Sequence, residues 1–296
     1  MSKHQALVAL SRDPIAEKLI FSLKDHALTF GVFLHSIGGQ IGNGTYYSER
    51  FESSAHLDIN QREQLRAIAA NFYVDLCFLK PDLIAQDIRV LAMDMDSTLI
   101  NIECIDEIAD FTGKKSAVAE ITEATMRGEI KDFKESLRRR VALLEGVNAA
   151  ALESVYRERL RPNPGAAELL AGANERGIYT LLVSGGFTFF TEKLQQQLGF
   201  KQTQANTLEI IDGKLTGQVI GDIVDGAAKA AHLDEACARL GCTKANAITM
   251  GDGANDLIMM NGSGISIAYQ AKPVVKEKAD AAFDRVGLDA ALLLIS

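Results

Sequence analysis

A chain of 296 residues with 47% hydrophobic content is long enough to bury a sizeable core and to hold a catalytic domain plus a smaller one. Its charged fraction of 24% and formal net charge of -8 are ordinary for a globular protein, and the acidic sign offers nucleic acid or an anionic membrane no overall attraction. No run approaches the roughly 20 apolar residues of a membrane span, and the short apolar stretch Ala6 to Leu10 meets charge too soon to be a signal sequence.

The four cysteines, Cys77, Cys104, Cys237 and Cys242, form no CxxC pair and sit mostly in apolar stretches. They read as free thiols, which fits a reducing cytoplasm. His4, His26, His35, His56 and His232 lack metal-ligand spacing, so a zinc site is not expected.

In chain order, the N-terminal part predicts strand Gln5 to Leu10, helix Pro14 to Asp25, strand Leu28 to Ile37, strand Thr45 to Ser54, helix Asn60 to Asn71 and strand Phe72 to Leu79. Pro14 suits a first helical turn, and Gly38, Gly39, Gly42 and Gly44 suit a hairpin link. The order βαββαβ suggests a ferredoxin-like α+β domain over residues 1–85, with Pro81 to Asp87 as linker. From Arg89 the texture becomes short apolar runs alternating with helical segments, the pattern of a parallel α/β sheet. The expected strands are Val90 to Met93, Ile178 to Val183 and Ala247 to Met250. Between the first two, residues 102–160 show helical patterns at Ser116 to Met126 and Asp132 to Leu144, and read as a helical cap inserted into a domain spanning 86–296.

Ligands of an open parallel sheet bind outside the carboxyl ends of its strands. The three runs exit into Asp94-Met95-Asp96-Ser97-Thr98, Ser184-Gly185-Gly186 and Gly251-Asp252-Gly253-Ala254-Asn255-Asp256, so separate segments deliver polar groups to one edge. Carboxylates gathered there repel unless a hard cation neutralises them, and oxygen-only ligands point to Mg²⁺. Ser184 and Gly185 precede a helix near Phe187 and can offer a hydroxyl and backbone N–H groups to an anion, although an N-cap serine looks the same. Lys229 stands in the first turn of a helix over Gly226 to Leu240, where the dipole disfavours a cation, so a nearby anion would account for it, as would plain solvation. Asn255 and Asp256 open the next helix and are equally explained by capping.

The segments Asp94 to Thr98, Ser184 to Gly186, Lys229 and Gly251 to Asp256 resemble, in order and spacing, the four motifs of the haloacid dehalogenase-like phosphatases. With Glu103 to Glu107 and Ser136 to Val141 they are similar to the phosphoserine phosphatase branch, over about residues 88–296. The resemblance implies a Rossmann-like parallel-sheet core with a small helical cap. It makes Asp94 a nucleophile and Asp96 the acid and then the base. Metal would be held by Asp94, the backbone carbonyl of Asp96 and Asp252. Lys229 would stabilise the phosphoryl group, with Ser184, Gly185 and Asn255 as substrate contacts and Asp256 orienting Lys229 or metal-bound water. The N-terminal segment resembles amino-acid-binding ACT domains.

Substrate choice is expected to lie in the cap. Phe133, Leu137, Val141 and Leu144 form one apolar stripe at helical spacing, and Arg140 falls within it while Arg138 and Arg139 project away. A guanidinium so placed asks for an anionic partner, unless it snorkels or forms a structural ion pair. If Arg140 takes a carboxylate and Glu103 an ammonium, the ligand is a phosphorylated amino acid. The resemblance makes it O-phospho-L-serine, with Phe133 shielding the site. Three rivals remain: a phosphatase for another small phosphomonoester, an amino-acid-binding regulatory protein, and a phosphotransferase that passes the phosphoryl group to an acceptor other than water. A homodimer is left open.

Overall fold

The computed structural model describes residues 5–42, 44–80, 87–126, 129–130 and 132–295. The chain first builds β1 (Gln5–Ser11), α1 (Glu17–Thr29), β2 (Leu34–Gly42), β3 (Tyr47–Ser53), α2 (Ile59–Ala70) and β4 (Asp75–Leu79), in the βαββαβ order expected. These strands form an antiparallel sheet of order β2-β3-β1-β4. Alternation splits its side chains. Leu7, Ala9, Phe51, Leu76 and Phe78 bury against Leu19 and Leu23 of α1 and Leu65 and Ala69 of α2. Val8, Leu10, Cys77 and Leu79 turn the other way and join the core of the larger unit.

Local boundaries differ from the sequence expectations. Helix α1 starts three residues after Pro14 and runs through Leu28, because Gly31, at φ +74, supplies the left-handed stop that Asp25 does not. Gly38 and Gly39, expected in the hairpin link, lie within β2 at φ +77 and +73, where its register with β3 shifts between Ile37 and Ile41. Phe72 and Tyr73 precede β4 rather than opening it. Most of the expected linker, residues 81–86, lies outside the described residues.

The second unit contains β5 (Val90–Met93), α3 (Cys104–Asp110), α4 (Lys115–Met126), α5 (Phe133–Ala142), α6 (Ala150–Ser154), α7 (Ala166–Glu175), β6 (Tyr179–Phe187), α8 (Thr188–Leu198), β7 (Gln202–Ile211), β8 (Lys214–Ile220), α9 (Gly226–Arg239), β9 (Ala247–Gly251), α10 (Leu257–Met260), β10 (Ile265–Tyr269), α11 (Pro273–Lys278) and β11 (Ala281–Phe283). The sheet order is β11-β10-β9-β5-β6-β7-β8, parallel except for β8 against β7. Strands β7, β8, β10 and β11 were not expected. Strands β7 and β8 are half-exposed and polar, β10 has Ser266 among its apolar residues, and β11 has only three residues, so none gives a clear apolar run. Central strand β5 is wholly buried: Leu91 and Met93 face one apolar cluster, Val90 and Ala92 the other, which α9 completes. The segment between β5 and β6 is helical and includes α3 to α6, as expected. Its two connections run side by side, with Asn101 N–H donating to the Arg161 carbonyl at 3.0 Å and Asn163 N–H to that of Leu99 at 2.8 Å.

Candidate active site

Strands β9, β5 and β6 are adjacent at the centre of the sheet, so their carboxyl ends bring Asp252, Asp94 and Ser184 together. The first turn after β5 is irregular, and Ser97 adopts φ +56. Asp94 is 6% exposed, with Oδ1 accepting from Met95 N–H at 2.7 Å and Oδ2 lying 2.8 Å from Lys229 Nζ. Helix α9 begins with Asp225 capping the Ala228 N–H at 2.9 Å, and one turn in it points Lys229 into the sheet edge. Lys229 is 1% exposed and also donates to Asp256 Oδ1 at 2.7 Å. Asp256 Oδ2 accepts from Gly253 N–H at 3.0 Å, so Asp256 tethers the ammonium to the loop after β9. Of the two explanations for Lys229, solvation is therefore removed and an anionic setting remains.

Asp94, Asp252 and Asp256 place carboxylate oxygens within 4.8 Å of one another. Two unit charges at that separation repel by about 3–4 kcal/mol at an effective dielectric of about 20. Three carboxylates share one ammonium, and the pKa values respond. Burial would lower Lys229, but Asp256 and then Asp94 hold it above the usual ammonium range. Burial, reinforced by Asp256 and Asp252, lifts Asp94 well above the usual carboxylate range despite Lys229. Asp252, whose Oδ1 accepts from Thr98 Oγ1 at 3.1 Å, is raised to about 7 by burial and then by Asp256 and Glu103. A desolvated, all-oxygen cluster with excess negative charge fits a hard metal cation. The carboxylate of Asp96 is not part of this cluster.

Asp96 instead faces the β6 loop. Its Oδ1 accepts from Cys104 N–H at 3.2 Å, and burial, followed by Glu103, raises it to about 7. A Cβ on Gly186 would stand 2.6 Å from Asp96 Oδ2 and 2.7 Å from Met95 Cε, so only glycine fits there. Gly186 N–H donates to Ser184 Oγ at 2.9 Å. That leaves the Ser184 hydroxyl proton for another acceptor, and since α8 is capped by Phe187, Ser184 is not its N-cap.

The cap closes over this edge. Phe133, at the start of α5, lies against Gly185, where an added Cβ would be 3.0 Å from its Cζ. Lys134 beside it pairs with Asp225 of the core at 3.4 Å. Leu137, Val141 and Leu144 are buried, and Arg138 and Arg139 are exposed, as the stripe predicted. Arg140 is half-buried, with Nε donating to the Ser136 carbonyl at 3.4 Å. Burial lowers its pKa, opposed by Glu103, Asp106 and Asp96 in that order, so it faces the acidic edge. Among the described residues no carboxylate forms an ion pair with it. Glu103 accepts from Ser97 Oγ at 2.7 Å, and burial, helped by Asp106, raises its pKa. Asn255 lies beside Asp256, its Nδ2 3.4 Å from Asp256 Oδ1.

The haloacid dehalogenase-like hydrolase family profile matches residues 91–261, which span both β5 and the loop after β9. The chain belongs to this family. It is 56% identical to a phosphoserine phosphatase of Polaromonas sp. over 73% of this chain and 93% of that protein. A phosphoserine phosphatase of Albidiferax ferrireducens is 53% identical over 72% and 92% respectively. Among solved structures, a haloacid dehalogenase family hydrolase of Salmonella enterica serovar Typhi superposes with a TM-score of 0.86 at 30% identity, covering 99% of this chain and 98% of that one.

Within this haloacid dehalogenase-like core, two residues at the site carried no local signal. Asn206 of β7 donates to the Gly185 carbonyl and accepts from Val224 N–H, both at 2.8 Å, tying the β6 loop to the segment before α9. Lys272 donates its backbone N–H to the Asp252 carbonyl at 3.1 Å, and its ammonium acts electrostatically on Glu103 and Asp252. Both come from elements that were not expected from sequence, so nothing local marked them.

Proposed function

We propose that the chain is a phosphoserine phosphatase, hydrolysing O-phospho-L-serine to L-serine and phosphate through an aspartyl-phosphate at Asp94. The observation that carries this is Asp94 buried between Lys229 and the Asp252 carboxylate, with Asp96 beside it at a pKa of about 7. A neutral Asp96 is set to give a proton, while Asp94, whose carboxyl burial and its acidic neighbours hold well above the usual range, would attack as the carboxylate once a bound cation and Lys229 balance its charge. The identities to phosphoserine phosphatases support the substrate.

The Asp94 carboxylate attacks phosphorus in line, and the bond from phosphorus to the serine oxygen breaks as Asp96 gives that oxygen its proton. Asp96, now ionised, takes a proton from water, whose oxygen attacks phosphorus and displaces the Asp94 carboxylate. Lys229, the Ser184 hydroxyl and Gly185 hold the phosphoryl oxygens, with Asn255 at the rim. Arg140 takes the substrate carboxylate, Glu103 its ammonium, and Phe133 excludes water. Asp94, the Asp96 carbonyl and Asp252 would hold Mg²⁺, whose chemistry there would be neutralisation of the charge on the phosphoryl group.

We place the domain division near residues 85 and 86, with the cap over about 102–160. The free thiols support a cytoplasmic enzyme, and release of L-serine from phosphoserine would put it at the last step of serine biosynthesis.

The test is phosphate release from phosphoserine, phosphothreonine, sugar phosphates and an aryl phosphate, each with Mg²⁺ and with chelator. Magnesium-dependent preference for phosphoserine is expected. Equal activity on the other esters would discard the substrate, and no release from any would discard the enzyme.

A further inference from the structure

Among the contacts between the small sheet and the core sheet is one buried carboxylate. Asp75, the first residue of β4, is 6% exposed, and its Oδ2 accepts from the backbone N–H groups of Asp284, Arg285 and Val286 at 3.0, 2.8 and 3.1 Å. Three successive N–H groups converging on one carboxylate oxygen form an anion cradle, and the negative charge of that oxygen draws the turn that supplies them into place. That turn directly follows β11, the edge strand of the core sheet, and β4 lies alongside it, with Phe78 N–H donating to the Asp280 carbonyl at 2.8 Å.

From β11 the connection continues to the site. The Phe283 carbonyl accepts from Gln270 N–H at 2.9 Å, and Gln270 is held at φ +42, a region that residues other than glycine leave unless neighbours hold them there. Two residues on, Lys272 N–H donates to the carbonyl of Asp252 at 3.1 Å. The backbone that aims Asp252 at the cluster is therefore braced by a loop, the loop by the end of β11, and that end by Asp75.

We infer that Asp75 is a positioning residue for Asp252, through which the N-terminal domain sets the strength of divalent-metal binding. This rests on the reading that Asp252 holds the metal. Partners bonded directly to a ligand side chain typically change metal affinity about 10- to 100-fold, and a brace acting through backbone bonds should fall below that.

The experiment is Mn²⁺ binding to chelator-stripped full-length protein, followed by the electron paramagnetic resonance of free Mn²⁺. The proteins are wild type, Asp75→Asn, Asp252→Asn and Arg50→Ala. Arg50 donates across the same domain junction to the carbonyls of Leu293 and Leu294 at 3.4 and 3.5 Å and has no bond into the 270–272 loop. Asp75→Asn is expected to raise the Mn²⁺ Kd about three- to tenfold, with kcat at saturating Mn²⁺ within about twofold of wild type. Arg50→Ala should leave the Kd unchanged, and Asp252→Asn should abolish binding. Should Asp75→Asn not fold, Asp75→Glu, which keeps the charge but misplaces it, takes the same measurement with the same expectation. An unchanged Kd in the Asp75 variant, or an equal loss in Arg50→Ala, overturns the inference while the metal reading stands. Wild type that binds no Mn²⁺, or Asp252→Asn that binds as wild type does, overturns the metal reading and this inference with it.

Discussion

Replacing Lys229 by Met keeps the length of the side chain and removes its charge, leaving Asp94 and Asp256 without the ammonium now 2.8 and 2.7 Å away. Lys229 is 1% exposed, so water cannot take its place. Breaking a buried ion pair by removing one partner costs about 3–5 kcal/mol, and the stranded carboxylates limit the loss by taking up a proton. Asp94 is already raised well above the usual range, which puts the expected loss at the lower end, about 3 kcal/mol at pH 8. The sign with pH follows. Lys229 has a raised pKa, so its contribution is present throughout the neutral range and lost only in strong alkali. The deficit of the variant should therefore shrink from pH 8 to pH 5, as the carboxylates protonate. The chain has no tryptophan, so urea unfolding followed by far-ultraviolet circular dichroism, in chelator, is the assay. Turnover should fall about 10²- to 10³-fold, the usual cost of one donor aimed at developing charge. A stability loss under about 1 kcal/mol, or a deficit that grows on acidification, would refute the reasoning.

Gly186→Ala should push Asp96 from its place, since the new methyl would stand 2.6 Å from Asp96 Oδ2; kcat for phosphoserine is expected to fall about 10²-fold with a smaller change in KM, and near-normal kcat would show that Asp96 is free to move. Because Asp96 must carry a proton to act as the acid and its pKa is about 7, kcat/KM for phosphoserine should decline as pH rises through 7, while an aryl phosphate, whose leaving group needs no proton, should lack that limb. Identical profiles for the two substrates would remove Asp96 as the acid. Arg140→Ala should lower kcat/KM for phosphoserine by about 10²-fold and that for the aryl phosphate by less than about tenfold, and equal losses would make Arg140 structural.

How far the sequence speaks depends on whether a residue's reason is local. Asp94 and Asp252 were legible because each follows a continuous apolar run, the pattern of a strand covered on both faces, and such strands place their next residues at the sheet edge. Lys229 was legible as a cation at the wrong end of a helix, and Arg140 as a charge on an apolar stripe. Asp256 stayed undecided between cap, lysine partner and water partner until the fold brought Lys229 to 2.7 Å from it. Asn206, Lys272 and Asp75 could not be read, since their partners lie in segments far along the chain. The same reason hid β7 and β8, whose alternation is blunted by half-exposed polar positions on both faces. Where the sequence misplaced an element end, as at Asp25 and Gly38, the deciding factor was a glycine conformation or a register shift that only the paired strand or finished helix imposes.

The charges of the site also explain why its parts must act together. Fully ionised, the three carboxylates with one buried ammonium would leave two negative charges at the place where, on the proposed mechanism, a phosphate dianion arrives, and the raised Asp94 and Asp252 are the response to that crowding. A divalent cation would cancel that excess, and the incoming phosphate would then meet a neutral site that holds it locally through the Lys229 ammonium, the Ser184 hydroxyl and the Gly185 N–H. An ionised Asp96 would restore the repulsion at once. On the proposed mechanism, the burial that raises Asp96 to about 7 leaves a large protonated fraction near neutral pH, which would both serve the leaving oxygen and weaken the repulsion of the substrate.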